Sequence, residues 1–179
     1  RNIVFFGGAG VSTESKIPDF RSTDGLYNQQ YAYPPETILS HTFYMRKTEE
    51  FYRFYRNKML FPDAEPNRAH KALAKLEAEG RLKAVVTQNI DGLHQKAGSR
   101  NVQEIHGSAL RCHCVICRKE YGPDFIFESK DPIPVCPECG KMVRPEVTLY
   151  GEILPDEAYG NAIRLVQDAD CLIIGGTSL

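Results

Sequence analysis

The sequence has little net charge and no long apolar run. Its 179 residues carry a formal net charge of −1, which argues against the basic balance of a nucleic-acid-binding or membrane-surface protein. No apolar run approaches the roughly 20 residues that a membrane span requires. With 42% hydrophobic and 25% charged residues, the composition is that of a globular protein with one core and a smaller insert. Any partner is therefore expected to be recognised by local contacts.

The cysteines are few, but their spacing is informative. Of the six, five lie in one short stretch. Disulfides are conceivable there, but a chain of this size can build a core without them, and paired Cys-x-x-Cys units favour a metal. Cys114 and Cys117 form one such unit, and Cys136 and Cys139 form the other. Four thiolates at this separation are typical of a zinc ribbon, which predicts a structural Zn²⁺ with no open coordination position.

Two neighbouring residues compete for the first half of the predicted metal site. Cys112 and His113 both precede Cys114 closely enough to serve as ligands. We favour Cys114 and Cys117 because only they make a Cys-x-x-Cys unit that matches the second pair. The alternative is that the thiols are unrelated and free. A metal-binding rather than disulfide function for the cysteines predicts a reducing compartment and hence a cytoplasmic location.

Alternating apolar runs and amphipathic segments predict an α/β fold. Strands are expected at residues 3–6, 84–87, 102–105 and 171–174. Helices are expected at residues 46–60 and 156–167, and between the capping residue Asn67 and Gly80. A further helix could open at Val11 and end before Pro18. The pattern predicts a doubly wound, parallel Rossmann-like sheet from residues 1–109 and 146–179, with a zinc-binding module at residues 110–145.

Polar or glycine-rich segments follow three of the predicted strands, at residues 7–13, 88–91 and 175–178. Ligands of doubly wound sheets bind beyond the carboxyl ends of the strands, so these segments are expected to converge on one site. Glycines at Gly8 and Gly10 would let backbone amides approach a pyrophosphate, although a plain strand-to-helix turn explains them equally well. Residues 87–91 could be an ordinary amide-rich turn, and a lone histidine such as His106 is more often structural than catalytic.

Taken together and in order, the motifs of this chain resemble those of the sirtuin family over essentially its whole length. They are GAGVSTESKIPDFRS (residues 8–22), TQNIDGLH (87–94), EIHG (104–107), the two Cys-x-x-Cys pairs, RPEVTLYGEILP (144–155) and GTSL (176–179). The resemblance implies an NAD-dependent protein lysine deacetylase with one structural Zn²⁺. In that reaction the acetyl-lysine oxygen attacks C1′ of the nicotinamide ribose. Nicotinamide is released, and O-acetyl-ADP-ribose and free lysine are formed.

The resemblance also implies roles for particular residues. His106 would be the base that activates a ribose hydroxyl, and Asn89 would orient the ribose or a water. An acetylated peptide would bind in extended form between the metal module and the sheet, in contact with Thr148 and Tyr150. The NAD-binding residues implied by motif position are Gly8, Ala9, Thr13, Phe20, Arg21, Gln88, Ile90, Asp91, Gly176, Thr177 and Ser178.

Some residues depart from the family pattern. Lys16 stands where many sirtuins have glycine, and Thr148 and Leu149 stand where apolar or aromatic residues are common. Family members that remove succinyl or malonyl groups pair a tyrosine with an arginine three residues later. Here Tyr27 is followed by Asn28, Gln29 and Gln30. No guanidinium is available at that position, so neutral acyl groups are expected to be preferred.

The chain has no initiator methionine and ends at Leu179, shortly after an apolar strand. We therefore expect a fragment of a longer chain, with the C-terminal part of the fold missing, an open strand edge, and weak NAD binding or aggregation when it is made alone. Two other functions remain open from the sequence. One is mono-ADP-ribosyl transfer at the same NAD site, and the other is a non-catalytic zinc-ribbon binding module.

Overall fold

The computed structural model describes residues 2–21, 25–28 and 31–177, which form two sheets and the helices around them. A parallel sheet has the order β3-β2-β1-β7, and an antiparallel sheet has the order β5-β4-β6. The strands are β1 (Ile3–Gly7), β2 (Leu82–Thr87), β3 (Val102–Glu104), β4 (Gly107–Cys114), β5 (Glu120–Tyr121), β6 (Val143–Val147) and β7 (Cys171–Gly175). The helices are α1 (Pro35–Ile38), α2 (His41–Arg46), α3 (Thr48–Lys58), α4 (Arg68–Ala78), α5 (Leu93–Lys96), α6 (Asp124–Phe127) and α7 (Asp156–Gln167), and 3-10 helices cover Ala9–Ser15 and Leu26–Asn28.

The parallel sheet is apolar on both faces, which explains the continuous apolar runs of its strands. On one face Val4 and Val86 pack with Ala162 of α7, and on the other Val85 packs with Leu73 of α4. Burying one such aliphatic side chain contributes about 1.5–3 kcal/mol. The predicted Rossmann-like architecture with helices on both sides of a parallel sheet is therefore confirmed.

The helix α4 begins where the sequence predicts. The Asn67 side chain accepts hydrogen bonds from the backbone N–H groups of Ala69 and His70, at 2.9 and 3.4 Å. The His70 ring returns a contact to the Asn67 N–H at 3.3 Å, which completes a capping box. Gly80 follows the helix with φ of 69°, a left-handed backbone conformation that is unfavourable for residues with a Cβ atom and is common after the last turn of a helix.

The antiparallel sheet is held to the helices by aromatic side chains. Phe51, Tyr52 and Tyr55 of α3 are fully buried in a cluster that also contains Val143 and Cys112 of the antiparallel sheet. The Tyr52 hydroxyl donates to the carbonyl of Val143 at 2.7 Å, so this polar group is satisfied inside the cluster. The metal-binding module is thus anchored to the helical layer by buried contacts.

The boundaries of several elements differ from the expectations. The predicted helix over residues 46–60 is interrupted at Lys47, where α2 ends and α3 begins. Strand β4 begins at Gly107 and β6 ends at Val147, so both extend past the predicted limits of the metal module. Strand β7 forms an edge of the parallel sheet as described, and its side chains from Leu172 to Ile174 are about 40% exposed.

Among the helices in the described part of the chain, none is both long and apolar enough to cross a membrane.

Candidate active site and metal centre

The three segments that follow β1, β2 and β7 meet at the carboxyl end of the parallel sheet. The Gly8 N–H donates to the carbonyl of Gly175 at 3.2 Å, and the Gln88 N–H donates to the carbonyl of Gly7 at 2.9 Å. The Thr177 hydroxyl donates to Oε1 of Gln88 at 2.8 Å. The predicted convergence is therefore confirmed for the described residues, and the remaining member of the third segment, Ser178, lies outside them.

Close packing within the protein requires glycine at positions 8 and 10, independently of any ligand. A Cβ at Gly8 would lie 2.7 Å from Oε1 of Gln88, and one at Gly10 would lie 2.9 Å from Cα of Gly176. The Gly10 N–H donates to the Gly176 carbonyl at 2.8 Å. The glycines thus let two turns touch, and the N–H groups of Gly8 and Gly10 are used within the protein. Ala9 opens a 3-10 helix rather than the α-helix expected from Val11.

Ser12 lies at the centre of a hydrogen-bonded cluster beside these turns. Its hydroxyl donates to Oδ2 of Asp91 at 2.6 Å. Because that bond uses the only proton of Ser12, its two lone pairs must accept, and Nδ2 of Asn89 lies 3.1 Å away as a donor. The second donor is Nε2 of His70 at 3.5 Å, since Nδ1 of His70 already accepts from the Asn67 N–H. The arrangement directs the carbonyl oxygen of the Asn89 side chain away from Ser12.

His106 lies between the two sheets and is held by backbone contacts. Its Nδ1 atom donates to the Gln88 carbonyl at 3.0 Å, because a carbonyl oxygen can only accept. Its own carbonyl accepts from the Thr148 N–H at 3.0 Å. Burial lowers the pKa of His106, and the hydrogen bond to Gln88 offsets this only in part. The ring is therefore neutral at pH 7 with Nε2 deprotonated, as a base requires.

Aromatic side chains connect the segment after the 3-10 helix with the segment after β6. The rings of Phe20 and Tyr27 pack at 5.5 Å between centroids, and the Tyr27 N–H donates to the Phe20 carbonyl at 2.8 Å. The hydroxyl oxygens of Tyr27 and Tyr150 lie 2.8 Å apart. Burial and this contact with Tyr150 raise the pKa of Tyr27, so its hydroxyl keeps its proton. Arg21 is exposed next to this aromatic group.

The remaining NAD-binding candidates lie near the same edge. Ile90 is half-buried, and its carbonyl accepts from the Ala109 N–H at 2.9 Å, which joins the β2 segment to β4. Oδ1 of Asp91 accepts from the Leu93 N–H at 2.9 Å and so starts α5. The Thr13 hydroxyl donates to the Gly10 carbonyl at 3.0 Å.

The four predicted metal ligands form one cluster. The sulfur atoms of Cys114, Cys117, Cys136 and Cys139 all lie within 4.8 Å of one another. Cys114 and Cys139 are 3.4 Å apart and Cys117 and Cys136 are 3.7 Å apart. A tetrahedral Zn²⁺ with Zn–S bonds of about 2.3 Å places neighbouring sulfurs about 3.8 Å apart, so the cluster fits zinc with no position left for water.

The surroundings of the cluster agree with the choice of its four ligands. The Tyr121 hydroxyl lies 3.0 Å from the Cys136 sulfur, and its hydrogen bond is the main reason that the pKa of this thiol falls to about 6. The competing residue Cys112 is buried in the aromatic cluster, and burial raises its pKa to about 12. The other competitor, His113, instead contacts Glu146 at 3.3 Å. The choice of Cys114 over its neighbours therefore agrees with the cluster that the structure forms.

The sequence profile of the Sir2 family matches residues 8–179 of the chain. The chain belongs to the Sir2 family. Curated relatives include the NAD-dependent protein deacetylase of Clostridium acetobutylicum, which is 56% identical over 99% of this chain and 74% of that protein. The protein of the same name from Clostridium perfringens is 58% identical over 99% of this chain and 73% of its own length.

Solved Sir2 structures have the same fold. One is a Sir2 with a histidine-to-alanine substitution, in complex with deacetylated p53 peptide and 3′-O-acetyl ADP-ribose. It has a TM-score of 0.91 and 41% identity, and the match covers 99% of this chain and 72% of that one. A second is Sir2Tm bound to a propionylated peptide, with a TM-score of 0.86, 39% identity, and coverage of 99% and 70%. Sir2 structures with NAD and with ADP-ribose also match.

Three buried polar residues at this Sir2 site were missed by the sequence analysis. They are Ser12, His70 and His94, each at most 1% exposed. The rings of His70 and His94 meet edge to face at 4.7 Å, and neither nitrogen of His94 has a hydrogen-bond partner among the described residues. Burial, followed by the neighbouring His70, lowers the pKa of His94 to about 4. The local signals were the capping box that contains His70 and the motifs at residues 8–22 and 87–94, which contain Ser12 and His94. The contacts themselves join distant parts of the chain.

Proposed function

We propose that the chain performs NAD-dependent deacetylation of protein lysines, transferring the acetyl group of acetyl-lysine to ADP-ribose with release of nicotinamide. Membership of the Sir2 family and the close relatives named NAD-dependent protein deacetylases support this function. The observation that carries it within the structure is His106. It is a half-buried, neutral histidine whose Nδ1 is occupied by Gln88, next to the polar residues that follow β2. This is the arrangement of a general base with one defined basic nitrogen.

We propose that NAD binds along the carboxyl edge of β1, β2 and β7. When bound, it supplies the ADP-ribose that accepts the acetyl group. The N–H of Ala9 begins the 3-10 helix, where backbone donors favour a phosphate. Gln88 after β2 and Thr177 after β7 are hydrogen-bonded to each other beside it. The complete proposed set is Gly8, Ala9, Thr13, Phe20, Arg21, Gln88, Ile90, Asp91, Gly176, Thr177 and Ser178.

The proposed catalytic roles follow from the hydrogen bonds around Ser12 and His106. Nε2 of His106 takes a proton from a ribose hydroxyl, while Gln88 holds the ring in position through Nδ1. Asn89 presents the carbonyl oxygen of its side chain as an acceptor, because its Nδ2 is directed to Ser12. Phe20 covers the reacting face and keeps water out, which limits simple hydrolysis of NAD.

We further propose that the protein substrate binds as an extended peptide beside the segment that follows β6. The Thr148 N–H is used by the His106 carbonyl, so its own carbonyl is the group offered to the acetyl-lysine amide. Tyr150, which is 55% exposed, forms part of the lysine channel wall. The zinc module shapes the other side of this cleft without taking part in the chemistry. The clustered thiols and a net charge of −1 support a cytoplasmic protein without nucleic-acid or membrane partners.

The proposal is tested by incubating the protein with NAD and an acetyl-lysine peptide, followed by mass spectrometry. Deacetylation predicts a mass loss of one acetyl group, equimolar nicotinamide, and O-acetyl-ADP-ribose. Mono-ADP-ribosyl transfer would instead add ADP-ribose to the target. Absence of NAD-dependent nicotinamide release would point to a non-catalytic zinc-ribbon module and overturn the proposed function.

A further inference from the structure

Arg144 and Glu152 form an ion pair beneath the proposed peptide-binding segment. Nη1 and Nη2 of Arg144 each lie 3.0 Å from one carboxylate oxygen of Glu152, so the contact is bidentate. The side chains are only 20% and 17% exposed. Bidentate pairs of this kind are geometrically specific as well as strong, and their low exposure protects them from screening by salt.

The same two side chains also bind the backbone of the segment between them. Glu152 accepts from the Leu149 N–H at 3.0 Å, and Nη2 of Arg144 donates to the Val147 carbonyl at 3.2 Å. Nδ1 of His41 contacts Oε1 of Glu152 at 2.8 Å. Burial alone would raise the pKa of Glu152, but the hydrogen bonds from Arg144, Leu149 and His41 outweigh it and hold the pKa at about 2. The carboxylate is therefore charged throughout the neutral pH range.

Backbone contacts fix the segment on its other sides. The Tyr150 N–H donates to the Leu39 carbonyl at 3.0 Å, and the His41 N–H donates to the Tyr150 carbonyl at 2.9 Å. The Thr148 N–H reaches the carbonyl of His106. A shift of the segment would therefore move Thr148 and Tyr150 relative to the proposed base, whereas none of these contacts involves the turns after β1, β2 and β7.

We propose that Arg144 and Glu152 are positioning residues that hold residues 147–152 in the conformation that receives the acyl-lysine peptide. This inference rests on the proposed deacetylase function. The pair sets the affinity for the peptide and contacts neither NAD nor the reacting atoms. It acts as one unit, because removing either partner leaves the other charge without its counterion.

The direct test compares steady-state kinetics of Glu152→Gln with those of the unaltered protein. Glutamine keeps the length and an acceptor oxygen for the Leu149 N–H but removes the charge, so the protein should fold and retain zinc. We expect KM for the acetyl-lysine peptide to rise roughly tenfold, with kcat changed less than about threefold and KM for NAD unchanged. Because the pair is one unit, a double variant with Arg144→Gln should be no worse than either single variant.

A matched control removes an ion pair elsewhere. Nζ of Lys96 lies 2.7 Å from Glu65 on the surface, so Glu65→Gln should leave all kinetic constants unchanged. Arg144→Lys keeps the charge without the bidentate fork and should give an intermediate KM for the peptide.

An active protein in which Glu152→Gln leaves the peptide KM unchanged, or raises KM for NAD equally, would overturn the positioning proposal alone. An unaltered protein without NAD-dependent deacetylation would overturn the proposed function, and the positioning proposal with it.

Discussion

The Nδ1 atom of His106 lies 3.0 Å from the carbonyl oxygen of Gln88, and this contact determines which nitrogen of the ring can act as a base. Since Nδ1 must carry the proton, Nε2 is left with its lone pair. Gln88 also joins the turns after β1 and β7 through its backbone N–H and its side chain. The proposed base is therefore oriented by the same residue that connects the proposed NAD-binding turns.

The buried His94 predicts a loss of stability in acid. Its pKa in the folded protein is about 4, against an ordinary value near 6.5, because burial disfavours the charged ring. Between these values the unfolded chain binds a proton that the folded protein excludes. This contribution to stability is thus complete above about pH 6.5, and about 3 kcal/mol of it is lost as the pH falls to 4.

The variant His94→Leu measures that contribution. Urea unfolding at pH 7 and pH 4.5 should show a smaller pH-dependent drop in free energy of unfolding for His94→Leu than for the unaltered protein. In His113→Gln the reduction should be smaller, because burial lowers the pKa of His113 as well but its contact with Glu146 partly offsets this. An equal drop in His94→Leu and in the unaltered protein would show that the ring is protonated or solvated in the folded state.

The metal site is tested by two cysteine substitutions. Cys114→Ser should lose the zinc and unfold the module, because the binding free energy of a structural zinc site, about 10 kcal/mol or more, is also folding free energy. Cys112→Ala removes the neighbouring sulfur and should keep one zinc per chain. Metal analysis after dialysis distinguishes them, and retention of zinc by Cys114→Ser with loss from Cys112→Ala would reverse the assignment.

Lys16 predicts a stabilising substitution. It ends the 3-10 helix with φ of 65° and ψ of 21°, a left-handed conformation that is unfavourable for a side chain with a Cβ. Lys16→Gly should raise the free energy of unfolding by about 1 kcal/mol, which corresponds to roughly 2–4 °C in Tm for a chain of this size. Lys16→Ala keeps the Cβ and controls for loss of the charge. Equal stabilisation by alanine and glycine would assign the effect to charge rather than to the backbone.

The acyl preference follows from the residues after Tyr27. Its hydroxyl contacts Tyr150, and the next three residues are Asn28, Gln29 and Gln30, of which the last two lie outside the described residues. None offers a guanidinium to a carboxylate, so acetyl-lysine should be processed at least roughly tenfold faster than succinyl-lysine in kcat/KM. Gln30→Arg should narrow that ratio, with Gln29→Arg as the control. Faster desuccinylation than deacetylation by the unaltered protein would contradict the prediction.

Local chemistry made much of the fold predictable. Asn67 was recognised as a cap because its partners lie two and three residues away, and the two Cys-x-x-Cys units identified the zinc cluster from spacing alone. The departure at Lys16 was also visible in the sequence, although its left-handed backbone was not. By contrast, α1 and α2 were missed, since helices of four and six residues are fixed by tertiary contacts rather than by a periodic pattern.

The convergence of residues 7–13 and 88–91 was predicted, but the individual contacts of the polar cluster between them were not. Ser12 and Asp91 are 79 residues apart in the chain, and their 2.6 Å contact exists only because β1 and β2 are neighbours in the sheet. Likewise, nothing local indicates that His94 is buried against His70. Long-range contacts of this kind depend on packing, which neither spacing nor composition encodes.

The central claim is that His106 acts as the base in NAD-dependent deacetylation, and His106→Ala tests it most directly. The measurement is the release of deacetylated peptide from an acetyl-lysine peptide and NAD, alongside exchange of labelled nicotinamide, on protein checked for zinc content and folding. We predict a fall in deacetylation of at least about 100-fold, as removal of a general base gives, with measurable nicotinamide exchange remaining. Deacetylation at a near-normal rate by His106→Ala would contradict the account.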